Sequence, residues 1–206
     1  TNKVLKNTYL LLSMTLLFSA MTAAVSMVMN LPQGAALILM LVSFGLLFWV
    51  HKSADSSTGL IAIFAFTGCL GASLGPMLNY YVAALSNGPM LIMQALGGTR
   101  RVFLPLSGYS LTTRKDFSFM GGFLTVGILV AFMAGLGAMF FEMPGLSLAV
   151  SSMFVLLMAG LILYETSNII HGGETNYIMA TASLFLSIIN MFQALLHLLG
   201  AFGNND

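Results

Sequence analysis

Long apolar runs dominate the chain, and short polar segments separate them. A helix needs about 20 mostly apolar residues to cross the hydrocarbon core of a bilayer. Seven runs approach or exceed this length, and turn-forming or charged residues lie between them. The pattern predicts an all-α polytopic membrane protein with a single domain over residues 1–206. The seven predicted transmembrane helices cover approximately residues 8–29, 34–50, 60–85, 90–113, 118–141, 146–171 and 176–202.

Composition supports this class of protein. Of the 206 residues, 58% are hydrophobic and 6% are charged, whereas about 25% of the residues of a soluble domain are charged. The net charge of +1 argues against nucleic acid as a partner. The sequence contains no HExxH or GxSxG motif, and its three histidines lie in different segments. We therefore expect no enzyme activity, no cofactor and no metal site.

The cations between the predicted helices indicate an orientation. Five of them fall on one side of a seven-helix protein: Lys3, Lys6, Lys52, Arg114 and Lys115. The opposite loops, at residues 30–33, 86–89 and 142–145, contain no Lys or Arg. By the positive-inside rule the N-terminus is cytoplasmic and the C-terminus lies outside. Since the chain begins at Thr1 without a methionine, we expect a short N-terminal tail to precede it.

Three charged residues fall inside predicted transmembrane helices, where a charge costs about 3 to more than 10 kcal/mol. Glu165 lies about 9 Å inside the sixth helix if that helix ends at His171. It is either a carboxylate that reaches the membrane interface or an internal ion or proton site. Arg100 and Arg101 point about 100° apart. One of them could face the bundle or pair with Glu165, or the helix could break and leave both in an aqueous vestibule.

The seventh helix carries a polar stripe within about 120° of its circumference. The stripe comprises Ser183, Ser187, Asn190, Gln193 and His197. Polar side chains must turn inward in lipid, so the stripe provides either hydrogen bonds between helices or the lining of a pathway. Either role places the seventh helix at the centre of the packing. The candidate intramembrane polar site therefore consists of Glu165, Arg100, Arg101, Ser187, Asn190 and His197.

The third helix carries a second pattern, one of small residues. Gly71 and Gly75 are four residues apart, a spacing that lets two helix backbones approach closely. Pro76 follows, and we expect it to kink the helix. The single Cys69 is interpreted as core packing.

Several stretches of sequence are similar to one known family. They are KVLKNTY at 3–9, FAFTG at 64–68, LGP at 74–76, ALGGT at 95–99, LTTRKD at 111–116 and ETSNIIHGGETNY at 165–177. Together they resemble the bacterial branch of the Bax inhibitor-1 family over nearly the whole chain. The resemblance implies a fold in which six helices surround the seventh.

The resemblance also implies one of two activities. Some members bind the AAA+ protease FtsH in the bacterial inner membrane and restrain it. Others are pH-sensitive calcium leaks, gated by two acidic residues on the last two helices. Glu165 corresponds to the first acid, but Ser187 stands at the second and cannot carry charge, which puts such a leak in doubt. The Arg100–Arg101 pair also departs from the family, which has small or apolar residues there.

We therefore expect a non-enzymatic protein that docks on the FtsH complex within the lipid bilayer. Its candidate cytoplasmic turn contains His171, Glu174 and Asn176. The alternative is a calcium or proton leak through the bundle that uses Glu165, an arginine of the fourth helix and the polar stripe of the seventh.

Overall fold

The computed structural model describes residues 2–203, and side chains from residue 3 onward. In this range the chain forms eight α-helices joined by short loops. They are α1 (Asn2–Val28), α2 (Gln33–Ser53), α3 (Thr58–Ser73), α4 (Gly75–Ala84), α5 (Gly88–Thr113), α6 (Gly121–Phe140), α7 (Pro144–Ile170) and α8 (Tyr177–Gly203). A short 3-10 turn, Ser118–Met120, precedes α6. The helical prediction is confirmed, and the predicted third span is divided into α3 and α4.

Within the described residues, six stretches are long and apolar enough to cross a membrane. They are α1, α2, the α3–α4 pair, α6 with its 3-10 turn, α7 and α8. The 26-residue α5 is not among them, although it measures about 39 Å. Its central arginine pair makes it the least apolar of the long helices.

Contacts at both ends of α5 nevertheless show that it runs alongside α7 and α8. The backbone N–H of Phe117, after α5, donates to the Ser167 hydroxyl near the end of α7 at 2.9 Å. The Asn87 side chain, before α5, donates to the carbonyl of Gly203 at the end of α8 at 3.5 Å. A short loop joins α7 to α8, so the ends of these two helices lie on opposite membrane sides. Because α5 joins the same two ends of the second unit, its placement agrees with the seventh crossing that the sequence predicts.

The chain divides into two compact units. The first unit contains the chain up to residue 86 together with residues 174–185. The second contains residues 87–173 and α8 from residue 186 onward. Each unit therefore includes one part of the last helix.

The first unit is built around the break between α3 and α4. Pro76 lacks an N–H, so the carbonyl of Ala72 loses its usual helical donor. The Ser26 hydroxyl of α1 replaces that donor at 2.7 Å. One turn earlier, the Thr22 hydroxyl donates to the carbonyl of Gly68 at 2.8 Å. The kink expected at Pro76 is present, and α1 side chains satisfy the backbone that it exposes.

Glycine makes this close approach of α1 and α3 possible. A Cβ atom added at Gly71 would collide with the backbone carbonyl oxygen of Ser19. One added at Gly75 would collide with the side chain of Ser26. The close backbone contact predicted from the spacing of the two glycines is therefore found, and its partner is α1.

The second unit is built around an apolar cluster. Its buried members are Leu124, Ala131, Leu157, Met158, Ile162 and Met191. Val102, Phe103 and Leu106 of α5 pack against them. Since lipid tails are as apolar as these side chains, van der Waals packing rather than exclusion of water holds this cluster together.

The last helix is buried on most of its circumference. Leu184, Phe185, Ser187 and Ile188 are all buried, although successive helical residues point about 100° apart. A helix on the outside of a bundle would bury one face only. In each unit, the part of the last helix that belongs to it therefore contributes buried residues rather than a single buried face.

Candidate functional site

A carboxyl–hydroxyl pair joins α7 to α8 within the second unit. Glu165 lies near the end of α7 and is partly buried, and Ser187 on α8 is buried. The Ser187 hydroxyl donates to Glu165 Oε2 at 2.9 Å. The structure thus brings together the two positions that the family resemblance singled out, with a neutral hydroxyl facing the carboxyl group.

The two arginines lie elsewhere. The α5 helix runs unbroken through Arg100 and Arg101, so the expected alternative of a helix break is wrong. Both arginines are exposed, because their neighbour Thr99 takes the buried position on α5. In the described part of the chain neither arginine forms an ion pair with Glu165, whose hydrogen-bond partner is Ser187.

The polar stripe of α8 is not uniformly buried. Ser187 is buried, Ser183, Gln193 and His197 are half-buried, and Asn190 is exposed. The expectation that all five side chains turn inward therefore fails at Asn190. Helical spacing gives the direction of a side chain, but it does not show which neighbouring helix covers that direction.

His197 makes a second link between α7 and α8. Its Nδ1 atom lies 2.6 Å from the Ser151 hydroxyl oxygen, and both side chains are partly buried. No sequence pattern marks Ser151, since serines are common in membrane helices. The link lies toward the end of α8, whereas the Glu165–Ser187 pair lies toward the end of α7.

Asn176 organises one end of the α7–α8 turn, which we define as residues 171–176. Its Oδ1 atom accepts hydrogen bonds from the N–H groups of Ile178 at 2.9 Å and Met179 at 3.2 Å, so it caps α8. Its Nδ2 atom donates to the carbonyl of Ala54 and to Asp55 Oδ1, both at 3.0 Å. An asparagine before a helix is a known capping signal, but the anchor to the α2–α3 loop was not predicted.

Ser167 organises the other end of this turn and was missed by the sequence analysis. Its hydroxyl accepts from the N–H of Phe117 at 2.9 Å and donates to the carbonyl of Lys115 at 3.2 Å. The Nδ1–H of His171 donates to the Ser167 carbonyl at 2.9 Å. The start of the turn is thereby fixed to the loop between α5 and α6. His171 itself stays exposed.

The loop between α5 and α6 carries charges of both signs. Asp116 Oδ1 accepts a hydrogen bond from the N–H of Ser118 at 2.9 Å. Hydrogen bonds from the backbone and side chain of Ser118 lower the pKa of Asp116, and the charge of His171 adds a smaller effect in the same direction. The Lys115 ammonium lies 5.9 Å from the centre of the Tyr109 ring.

Among the described residues no three His, Cys, Asp or Glu side chains come together as they would to hold a metal ion. The intramembrane groups offer hydrogen bonding through Glu165, Ser187, His197 and Ser151. The α7–α8 turn offers an exposed polar surface on an anchored backbone.

These features define a polytopic helical membrane protein of the Bax inhibitor type. The family described as Inhibitor of apoptosis-promoting Bax1 matches residues 1–204, and the chain belongs to this family. The chain is 52% identical over 206 residues to Modulator of FtsH protease YccA of Escherichia coli (strain K12), covering 100% of this chain and 93% of that protein.

Two further relatives show the same extent of similarity. The protein called Inner membrane protein YccA, from Escherichia coli O6:H1, is 52% identical over 206 residues, with 100% of this chain and 93% of that protein covered. An Uncharacterized membrane protein of Vibrio cholerae is 50% identical over 207 residues, with 100% and 92% covered. The similarity extends along all the helices described above.

Proposed function

We propose that this chain binds and modulates the AAA+ membrane protease FtsH, without catalysing a reaction itself. The observation that carries the proposal is the 52% identity, over the full chain, to the Escherichia coli protein named as a modulator of that protease. The relatives' names describe modulators or membrane proteins and none describes an enzyme. The absence of known catalytic motifs supports a regulatory role.

The docking surface that we propose is the α7–α8 turn together with the adjoining transmembrane surface. His171 and Thr175 are exposed there. Asn176 and Ser167 hold the backbone on either side of them to neighbouring loops. A partner that binds this turn therefore meets an ordered surface, and ordering it on binding costs little conformational entropy.

Resistance to extraction is the mechanism that we propose for modulation. A protease that unfolds membrane proteins must separate their helices. In the first unit, the Ser26 and Thr22 hydroxyls hold α1 to the backbone of α3 at 2.7 and 2.8 Å. A substrate-like protein with such contacts would occupy the protease while yielding slowly.

The location that we propose is the bacterial inner membrane, with the N-terminus in the cytoplasm and the C-terminus in the periplasm. The five loop cations and the crossing of α5 support this orientation. It places the α7–α8 turn in the cytoplasm. Alkaline phosphatase fused to the C-terminus should be active, and an inactive fusion beside an active green fluorescent protein fusion would reverse the orientation.

The test of the proposed function is the degradation rate of a membrane substrate of FtsH in native bacterial membranes, with and without an excess of this protein. We expect slower degradation and co-isolation of the two proteins. An unchanged rate would contradict the proposal. The matched control is a protease-deficient membrane, in which the excess protein should have no effect on substrate levels.

The alternative is an ion leak, and one observation favours it: a carboxyl group, Glu165, lies within a transmembrane helix. Because Ser187 faces it at 2.9 Å in place of a second acid, a proton leak fits better than a calcium leak. Such a leak predicts that Glu165→Gln lowers proton flux in liposomes that contain no protease. Equal flux through the variant and the unaltered protein would exclude it.

A further inference from the structure

One exposed stripe of α5 is rich in small and polar residues, although large apolar side chains such as Met90, Met93 and Leu104 are exposed within or beside it. Six residues spaced by three or four positions lie within about 80° of one another at ~100° per residue. They are Gln94, Gly97, Arg101, Pro105, Gly108 and Thr112, which we call the α5 outer face. All are exposed except Gly97, which is half-buried. A Cβ atom added at Gly97 or Gly108 would meet no atom within 4 Å.

The opposite side of α5 packs against the rest of the second unit. Leu91, Ala95 and Thr99 are buried there. Gly98 lies against Leu195 of α8, and Leu91 lies against Gly203. The outer face therefore points away from the helices that α5 packs on.

Arg101 lies at the middle of α5. It is about 20 Å from Gly88 and about 18 Å from Thr113 along the helix. Its neighbours Val102 and Phe103 pack on the cluster that contains Met158 of α7. Met158 lies near the middle of α7, which is long and apolar enough to cross a membrane. We therefore infer that Arg101 lies near mid-bilayer depth.

Such a face is unsuited to contact with lipid. A guanidinium at the bilayer centre costs about 3 to more than 10 kcal/mol when lipid surrounds it. The neighbouring α6 shows what a lipid-facing surface of this chain contains: Phe123, Val126, Leu129, Val130, Phe132 and Met133 are exposed on it. Small and polar residues belong instead at contacts between helices.

We propose that the α5 outer face binds a transmembrane helix of another protein that carries an Asp or Glu at mid-bilayer depth. Arg101 matches a carboxylate in charge and in its planar, two-pronged geometry. Gly97 and Gly108 leave room for the partner's backbone on either side of it. This inference goes beyond the proposed function, since it requires no protease.

Charge identifies the occupant. A second copy of this chain would place Arg101 against Arg101, because a two-fold interface brings identical surfaces together. Two guanidiniums in a medium of low dielectric repel each other. A helix with a buried acid, by contrast, neutralises the arginine and satisfies its donors.

The test uses the full-length protein in liposomes with a host transmembrane peptide of leucine and alanine that carries a central Glu, or a central Gln as the matched control. Binding is measured by energy transfer between the labelled protein and the labelled peptide. We expect the Glu peptide to bind about tenfold more tightly than the Gln peptide. Arg101→Gln should abolish the difference. Arg100→Gln, one residue away and pointing about 100° from Arg101, should retain most of it.

Equal binding of the two peptides by the unaltered protein would overturn the proposal without depending on how any variant folds. If labelled copies of the protein instead transfer energy to one another and the peptide no longer binds, the face serves self-association and the proposal is wrong. A third outcome is tested with Gly97→Cys in a Cys69→Ala background. Rapid reaction of this cysteine with a membrane-impermeant thiol reagent would show a water-filled cavity, and the inferred helix contact would be wrong.

Discussion

Different kinds of contact hold the helices together within each of the two units of the chain. In the first unit, side chains of α1 bind the backbone of another helix, as Ser26 and Thr22 bind the α3 carbonyls at 2.7 and 2.8 Å. In the second unit, α7 and α8 meet beside an apolar cluster and through pairs of side chains, such as Ser187 with Glu165 at 2.9 Å, whereas bonds from side chains to backbone, such as Ser167 with Lys115, lie at its loops. A backbone carbonyl has a fixed position and charge, whereas a side-chain pair can change rotamer or protonation state. We therefore expect the contact between α1 and α3 in the first unit to be the more rigid one, and the α7–α8 pairs of the second unit to respond more readily to their surroundings.

The largest effect expected from this comparison concerns glycine. Gly71→Ala places a Cβ against the Ser19 carbonyl, which cannot move unless α1 moves, and we expect a loss of about 1–3 kcal/mol of unfolding free energy. Gly137→Ala, in the second unit, is the control, since a Cβ there meets nothing within 4 Å. Unfolding in mixed detergent micelles measures both. Equal stability of the two variants would contradict a close, unyielding contact between Gly71 and the Ser19 carbonyl.

The next effect concerns the carbonyl that Pro76 leaves without a helical donor. Ser26→Ala removes the donor to Ala72 and should cost about 1–2 kcal/mol. In a Pro76→Ala background the helix regains its own N–H donor, so the same change should cost less. We expect a coupling energy of about 1 kcal/mol from the double-mutant cycle. The same cost in both backgrounds would show that Ser26 does not replace a donor that Pro76 removes.

A smaller effect is expected in the second unit. Ser187→Ala removes one hydrogen bond between side chains within the membrane, and such bonds contribute about 0.6 kcal/mol. Ser187→Thr retains the hydroxyl and is the matched control. Under the same detergent conditions, the unfolding free energy of the Ser187→Thr variant should be closer to that of the unaltered protein than that of the Ser187→Ala variant. A loss for Ser187→Ala as large as that for Ser26→Ala would remove the distinction between the units.

The smallest effect concerns a group outside the membrane. Hydrogen bonds from Ser118 lower the pKa of the Asp116 carboxyl group from its ordinary value of 3.8. The charged carboxylate therefore stabilises the folded state at pH values above 3.8. This stabilisation is lost as the pH falls through the lower pKa of the folded state. Nuclear magnetic resonance of the Asp116 carboxyl carbon should show a midpoint below 3.8. Ser118→Ala should raise that midpoint only in part, since the backbone N–H remains. A midpoint at or above the ordinary value would contradict the hydrogen bond.

The sequence was sufficient for those parts of the fold that depend on local pattern. Apolar runs predicted the helices, and Pro76 predicted the break between α3 and α4, because a missing N–H acts within one turn. The end of the sixth predicted helix at residue 171 lies within one residue of the end of α7 at Ile170. Gly172 follows there with a left-handed backbone (φ +80°), which glycine adopts easily.

Features that depend on contacts between distant segments could not be predicted. Ser151 and Ser167 have partners 46 and 50 residues away, and no local pattern marks them. The exposure of Asn190 and of both arginines depends on which helices lie beside α8 and α5. Helical periodicity defines a face of a helix, but only packing shows what that face contacts.

The most direct test of the proposed function compares two equal changes on opposite membrane sides. Thr175→Arg adds a bulky charge to the exposed α7–α8 turn, and Gln33→Arg adds the same side chain to the exposed first residue of α2. The measurement is the rate at which FtsH degrades a membrane substrate in native membranes that contain an excess of each variant. The account predicts that Gln33→Arg slows degradation as the unaltered protein does, and that Thr175→Arg does not. Equal slowing by both variants would show that the turn is not the docking surface, and no slowing even by the unaltered protein would contradict modulation itself.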